Sequence, residues 1–128
     1  MPVEQTRLEK GLYLLEWSGR VTFDEIRAAQ AEGKAMAAQH GDKAVVLVTN
    51  LANVTQFPTD VREMHVLVDA DGELVKAAYL VHAPMFVRLA ATSMRKLFRT
   101  GGSLHFADSV EQALGAARTV LATFDQGT

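Results

Sequence analysis

A chain of 128 residues, 48% hydrophobic and 22% charged, has the size and make-up of a single globular domain, residues 1–128, that buries roughly two thirds of its unfolded surface. Its formal net charge of −2 argues against bulk attraction to nucleic acid, and the absence of cysteine excludes disulfides, thiolate metal sites and thiol nucleophiles. The polar start MPVEQTRLEKG and a longest aliphatic run of only Ala44 to Val48, against the ~20 residues a bilayer span needs, predict neither export nor a transmembrane segment, and a cytoplasmic protein is expected.

From Val3 to Ser18 two extended segments, VEQTRLE and LYLLEWS, flank Lys10-Gly11. Glycine accepts the positive φ of a tight turn, so a hairpin is predicted. Thr22-Phe23-Asp24-Glu25 matches a capping box, and the helix it opens runs to about His40, where Gly41 stops it. Its inward stripe of Ile26, Ala29, Gly33, Met36 and Ala37 is small enough to sit close on a sheet. KAVVLVTN, Lys43 to Asn50, is continuously apolar rather than alternating, the pattern of a central parallel strand buried on both faces. The polar run after Asn50 reads as a loop.

Asp60 and Glu63 bracket a second helix start, with Val61, Met64, Leu67 and Val68 on one face until Asp71-Gly72. LVKAAYLVH is a strand ending at His82. Pro84 opens a third helix, whose apolar stripe of Phe86, Leu89, Ala90, Met94, Leu97 and Phe98 ends before Gly101-Gly102. Ser103 to Phe106 is a short strand. Ser109-Val110-Glu111-Gln112, a further capping box, opens the last helix with Val110, Ala113, Leu114, Ala117 and Leu121 facing inward. The order β-β-α-β-α-β-α-β-α predicts an α/β fold, a single mixed, mostly parallel five-stranded sheet flanked by four helices, because crossover helices return the chain to the same end of the sheet.

The stretches LLEWSGRVTFDEI, VVLVTNLANVTQF and FADSVEQALGAARTVL resemble the SpoIIAA-like group, relatives of the STAS domain of sulfate transporters and anti-sigma-factor antagonists, over nearly the whole chain. The resemblance implies a STAS-like fold and a non-enzymatic regulatory or adaptor protein that acts by binding another protein. STAS antagonists carry a phosphorylatable Ser in an Asp-Ser-Ser-Gly stretch at the start of the helix after the central strand. Laid on that pattern, Thr59 takes the acceptor position, with Pro58, Asp60 and Val61 in place of the Asp, the second Ser and the Gly. The wider group also implies an alternative, a small-ligand or lipid-binding module of the same architecture.

The residues themselves leave several roles open. A helix N-terminus at Thr59 favours an anion by about 0.3–1 kcal/mol, although Asp60 already supplies negative charge there. Thr59 or Asp60 is equally a plain N-cap, stabilising by about 1 kcal/mol. Ligands of open α/β sheets tend to bind beyond the carboxyl ends of the strands, a rule that gathers Ser18, Asn50, Asn53, Thr55 and His82. His82 is the general base of a third, enzymatic reading, although the plainer role of a histidine at a strand end is a hydrogen bond to backbone. His40, His65, His82 and His105 stand at no ligand spacing, so neither a metal nor a cofactor is expected.

FVRLAATSMRKLFRTGG is the most asymmetric segment, with no acid between Glu73 and Asp108 and with Arg88, Thr92, Arg95 and Arg99 on one helical face. It is either a solvated outer face or a docking strip for an acidic protein surface, a phosphate-bearing small molecule or an anionic lipid headgroup. In the alternative reading Met85, Phe86, Met94 and Phe98 line an adaptable groove wall against the sheet. Walker, dinucleotide and nucleophile-elbow signatures are absent, as is any interleaving of aromatic and basic residues for nucleic acid. The edge strand of the hairpin can pair two copies into a homodimer.

Overall fold

The computed structural model describes residues 3–56, 74–85, 87–89 and 103–124. Strands β1 (Val3–Glu9) and β2 (Leu12–Arg20) form the expected hairpin, antiparallel with Val3 opposite Trp17, and Gly11 takes the turn at φ 79°. Helix α1 (Phe23–His40) opens on a complete capping box, in which Thr22 and Glu25 satisfy each other's backbone N–H groups. It ends where Gly41 turns left-handed at φ 74°. Then come β3 (Val45–Gln56), β4 (Val75–Val81), β5 (Ser103–Ala107) and α2 (Val110–Leu121). Ser109 caps α2 by accepting the Gln112 N–H, but the Gln112 side chain accepts from the Asp108 N–H rather than from Ser109. The reciprocal bond of the expected capping box is thus displaced by one residue.

Among the described residues there are three helical segments, α1, α2 and a stretch at 85 and 87–89, not the four expected. The remaining expected helix, over residues 60–71, lies outside the described residues.

The sheet has the order β1-β2-β3-β4-β5, with β2 to β5 parallel and β1 antiparallel. The strand KAVV… is therefore central, with a parallel partner on each side, as its unbroken hydrophobicity requires. Each parallel strand lies one place beyond the last in the same direction, and a right-handed β2–β3 crossover sets α1 on one face of the sheet. On that face Ala37 packs with Tyr13, Leu15 and Val45, Ile26 with Val21, and Ala83 and Val87 with Leu51. The opposite face is covered by α2, whose Ala113 and Ala117 are fully buried against Leu12, Val46, Val48, Tyr79 and Val81. Two alanines at the contact let α2 approach the sheet closely.

The polar run after Asn50 is strand, not loop. β3 pairs with β4 only as far as Asn50 opposite Val81, yet stays paired with β2 through Ser18–Asn53, Gly19–Val54 and Arg20–Gln56, with a shift of register before Ser18 and another between Gly19 and Arg20. Between Glu16–Asn50 and Ser18–Asn53, β3 uses one residue more than β2, a bulge that takes a backbone group off the ladder. Asn50 repairs the loss, its Oδ1 accepting the Ala52 N–H at 3.1 Å.

At the other end of the sheet the carboxylate of Asp42, fully buried, joins the hairpin to the α1–β3 connection. Arg7 donates to it twice, from Nε at 2.9 Å and Nη2 at 3.0 Å, and the Tyr13 hydroxyl donates at 2.9 Å. Burial works to raise the Asp42 pKa, but the hydrogen bonds from Arg7, Tyr13 and the Gly11 backbone outweigh it and hold the carboxyl below its usual range. Burial first, and the bond to Asp42 second, push the Tyr13 hydroxyl up to about 12. The charge is paired and its lone pairs are filled, the condition under which a buried ion is tolerated.

Candidate functional site

The carboxyl ends of the parallel strands form a rim. Glu16, Asn50, Val81 and Ala107 stand in one register row across β2 to β5. Beyond it the chain does two different things. β2 and β3 continue as a two-stranded arm, whereas β4 stops and turns away, so that β3 outruns β4 by residues 51–56. On the arm Ser18, Arg20, Ala52, Asn53, Thr55 and Gln56 are exposed. Its root is apolar: Leu51 is 1% exposed and packs with Trp17, Val54, Ala83 and Val87. The arm is therefore a polar surface on a fixed hydrophobic footing.

At the end of β4, His82 is exposed and takes φ 56°, a left-handed conformation uncommon in any residue but glycine. Position explains it. The residue before a proline is biased toward extended backbone, which disfavours the helical region at Ala83 and accounts for a turn at His82. Its ring makes no hydrogen bond or ion pair among the described residues, and the backbone bond expected of it is not formed. Arg88 is held in place: its backbone N–H donates to the Pro84 carbonyl at 3.0 Å, its Nε–H donates to the Ala83 carbonyl at 3.2 Å, and its guanidinium lies 5.0 Å from the Phe106 ring centroid.

The structure thus sets Asn50, Asn53, Thr55, His82 and Arg88 at one end of the sheet, although Asn50 serves its own backbone rather than facing a ligand. The strand order never reverses, so the crevice of a doubly wound sheet, formed where the order changes direction, is not built here. The site is an open rim. Thr59, Arg95 and Arg99 lie outside the described residues, as do Phe86, Met94 and Phe98 of the expected groove; the remaining groove residue, Met85, is 71% exposed. Of the arm's exposed residues, Ser18, Asn53 and Thr55 were expected at this end of the sheet; those missed from sequence are Arg20, Ala52 and Gln56, together with the strand pairing that carries them all. The signal that could have found them is the valine at 54, an apolar side chain inside a polar run, which packs with Leu51, Val21 and Ile26.

No protein-family model matches the chain, and no curated protein matches it. Solved structures do. An uncharacterised protein of the DUF3478 family with a SpoIIAA-like fold, from Shewanella loihica PV-4, is similar at a TM-score of 0.64 and 12% identity, covering 90% of this chain and 91% of that one. The anti-sigma factor antagonist SpoIIAA in its unphosphorylated form is similar at 0.61 and 12% identity, over 91% and 96%. The Bacillus cell fate determinant SpoIIAA in the phosphorylated form is similar at 0.54 and 12% identity, over 89% and 97%. These likenesses establish the architecture: the chain has a SpoIIAA-like, STAS-like α/β fold. No helix among the described residues is long and apolar enough to cross a membrane.

Proposed function

We propose that this chain is a non-enzymatic binding module, a cytoplasmic regulatory or adaptor protein that engages a protein partner through the carboxyl rim. The observation that carries the reading is the β2–β3 arm, whose exposed Ser18, Asn53, Thr55 and Gln56 continue the sheet past its last β4 pairing without serving the core. Extended backbone on a buried footing is a rigid platform, the kind of element on which recognition is accurate. Support for a switch comes from Thr59, which follows the end of β3 by three residues, and from the two forms, unphosphorylated and phosphorylated, in which the similar SpoIIAA is described. In this reading a phosphate on Thr59 adds negative charge three residues past the end of β3 in the chain and changes partner affinity. The groove-bound lipid or small-molecule alternative is the weaker one, because Met85 is turned to solvent rather than toward the sheet.

The test is affinity capture from lysate with wild-type protein, the Asn53→Arg, Thr55→Arg double variant, Thr59→Ala and Thr59→Glu. Asn53 and Thr55 are exposed, and substitutions at such positions usually shift stability by about 0.5 kcal/mol or less, so the double variant is expected to fold; a thermal melt of each variant checks this. The expected result is one defined partner, lost at least about tenfold in the double variant, a change of 1.4 kcal/mol in binding, and captured differently by the two Thr59 variants. An identical set of captured proteins across all four contradicts the proposal.

A further inference from the structure

The identity of the rim's partner can be narrowed by chemistry, on the reading of the chain as a protein-binding module. The helical stretch after β4 has an inner side, where Val87 is 2% exposed and packs with Leu51. Its outer side carries Met85, 71% exposed, and Leu89, 64% exposed. These are large apolar side chains at i and i+4, one helical turn apart and hence neighbours on the surface. The other exposed large apolar residues among those described, Leu8 and Phe124, are less open and belong to different elements.

Between Met85 and Leu89 stands Arg88, whose guanidinium is fixed by the Ala83 carbonyl and the Phe106 ring. A cation already ordered loses less freedom when it binds. The surrounding sequence has one sign. From Leu74 to Ala107 there is no Asp or Glu, while Lys76, Arg88, Arg95, Lys96 and Arg99 are positive, in a chain whose total charge is −2. The remainder of the protein is therefore acidic.

We infer that Met85, Arg88 and Leu89 form a docking surface for an acidic amphipathic helix of a partner protein. Apolar side chains of that helix cover Met85 and Leu89, the ridges of one helix seated in the grooves of the other, and a carboxylate meets Arg88. Two observations favour a helix over an anionic bilayer. Among the described residues the exposed apolar side chains here are two, a narrow face beside the wide apolar stripe that an interfacial helix buries, and the acidic remainder of the chain is repelled by anionic headgroups. A second copy of this chain is disfavoured as well, since its hairpin, with three acidic and three basic residues, offers Arg88 no net negative charge and exposes one large apolar residue, Leu8, with no pair at one-turn spacing.

The probe is a fluorescein-labelled peptide of Leu and Glu, about 18 residues long so that it can hold a helix, with Leu on one face. The controls are the same peptide with Lys for Glu, and vesicles of phosphatidylcholine and phosphatidylserine. Fluorescence anisotropy is expected to show the acidic peptide binding at least about tenfold tighter than the basic one, with affinity falling as salt is added. Met85→Ser, Leu89→Ser and, separately, Arg88→Glu should each weaken it about tenfold, with Arg88→Lys intermediate. The serine pair sits on solvent-exposed positions, so it reports on the surface even if Arg88→Glu disturbs the Phe106 contact. Equal binding of both peptides, no binding of the acidic one, affinity unchanged by the serine pair, or preferential capture by vesicles overturns the inference. If the serine pair leaves lysate capture intact while Asn53→Arg, Thr55→Arg abolishes it, this inference fails and the binding-module reading stands.

Discussion

Replacing Asp42 by Asn is expected to cost about 3 kcal/mol of stability, the low end of the roughly 3–5 kcal/mol typical when one partner of a buried ion pair is removed. The low end applies because the Arg7 side chain is 23% exposed and keeps part of its hydration, whereas the Asp42 side chain is fully buried. Chemical denaturation reads the loss directly; in a domain of this length it lowers Tm by roughly 10–15 °C. Because Arg7 and Tyr13 share the carboxylate, Arg7→Met combined with Asp42→Leu should lose less than the two single losses together.

The same network fixes two pH limbs. Asp42 titrates lower in the folded protein than in the unfolded chain, so its contribution is complete above the ordinary carboxylate range and is lost as pH falls through the depressed folded value. Tyr13 runs the other way. Its folded pKa is raised from 10.0 to about 12, so the unfolded chain ionises first and stability declines as pH rises from 10 toward 12. Tyr13→Phe should flatten that alkaline decline, and Asp42→Asn the acid one. Unfolding curves in which Asp42→Asn melts within about 1 kcal/mol of wild type would show the carboxylate to be peripheral.

Leu51→Ala is the second large expected effect. Leu51 is 1% exposed and touches Trp17, Val54, Ala83 and Val87 at the root of the arm. Leucine-to-alanine changes in cores cost about 2–5 kcal/mol, more where the surroundings cannot collapse. Both strands of the arm are tied by ladder bonds, so little collapse is available and a loss of about 3 kcal/mol is expected. The loss should also be local in character. Hydrogen exchange should quicken at residues 53–56 and 83–89 more than in β1, which contacts a different cluster. A uniform increase across β1 and the arm would mean that the arm has no separate footing.

What the sequence disclosed, and what it withheld, divides along the range of the interactions. The Thr22–Glu25 box, the stop at Gly41 and the turn at Gly11 are contacts within a few residues, and all three appear as expected. Central placement of β3 was legible because burial on both faces leaves no polar position in Ala44 to Val48. The continuation through Asn53 and Thr55 was not, since an Asn/Thr-rich run has the composition of a loop and only pairing with β2 makes it a strand. Asp42 was invisible for a related reason: its partner Arg7 is 35 residues away, and no local pattern announces such a meeting. His82 was found as a strand end, but its left-handed turn depends on the proline two residues on and on where the next helix must go.

The claim on which the functional account depends is that the carboxyl rim, and no other face, meets the partner. Site-specific photo-crosslinking in cells tests it most directly, with a benzophenone side chain placed at Asn53, at His82 and, on the exposed outer side of α2, at Thr119. The account predicts one shared crosslinked protein from positions 53 and 82 and none from 119. Crosslinks from 119 alone, or the same yield at all three positions, would contradict it.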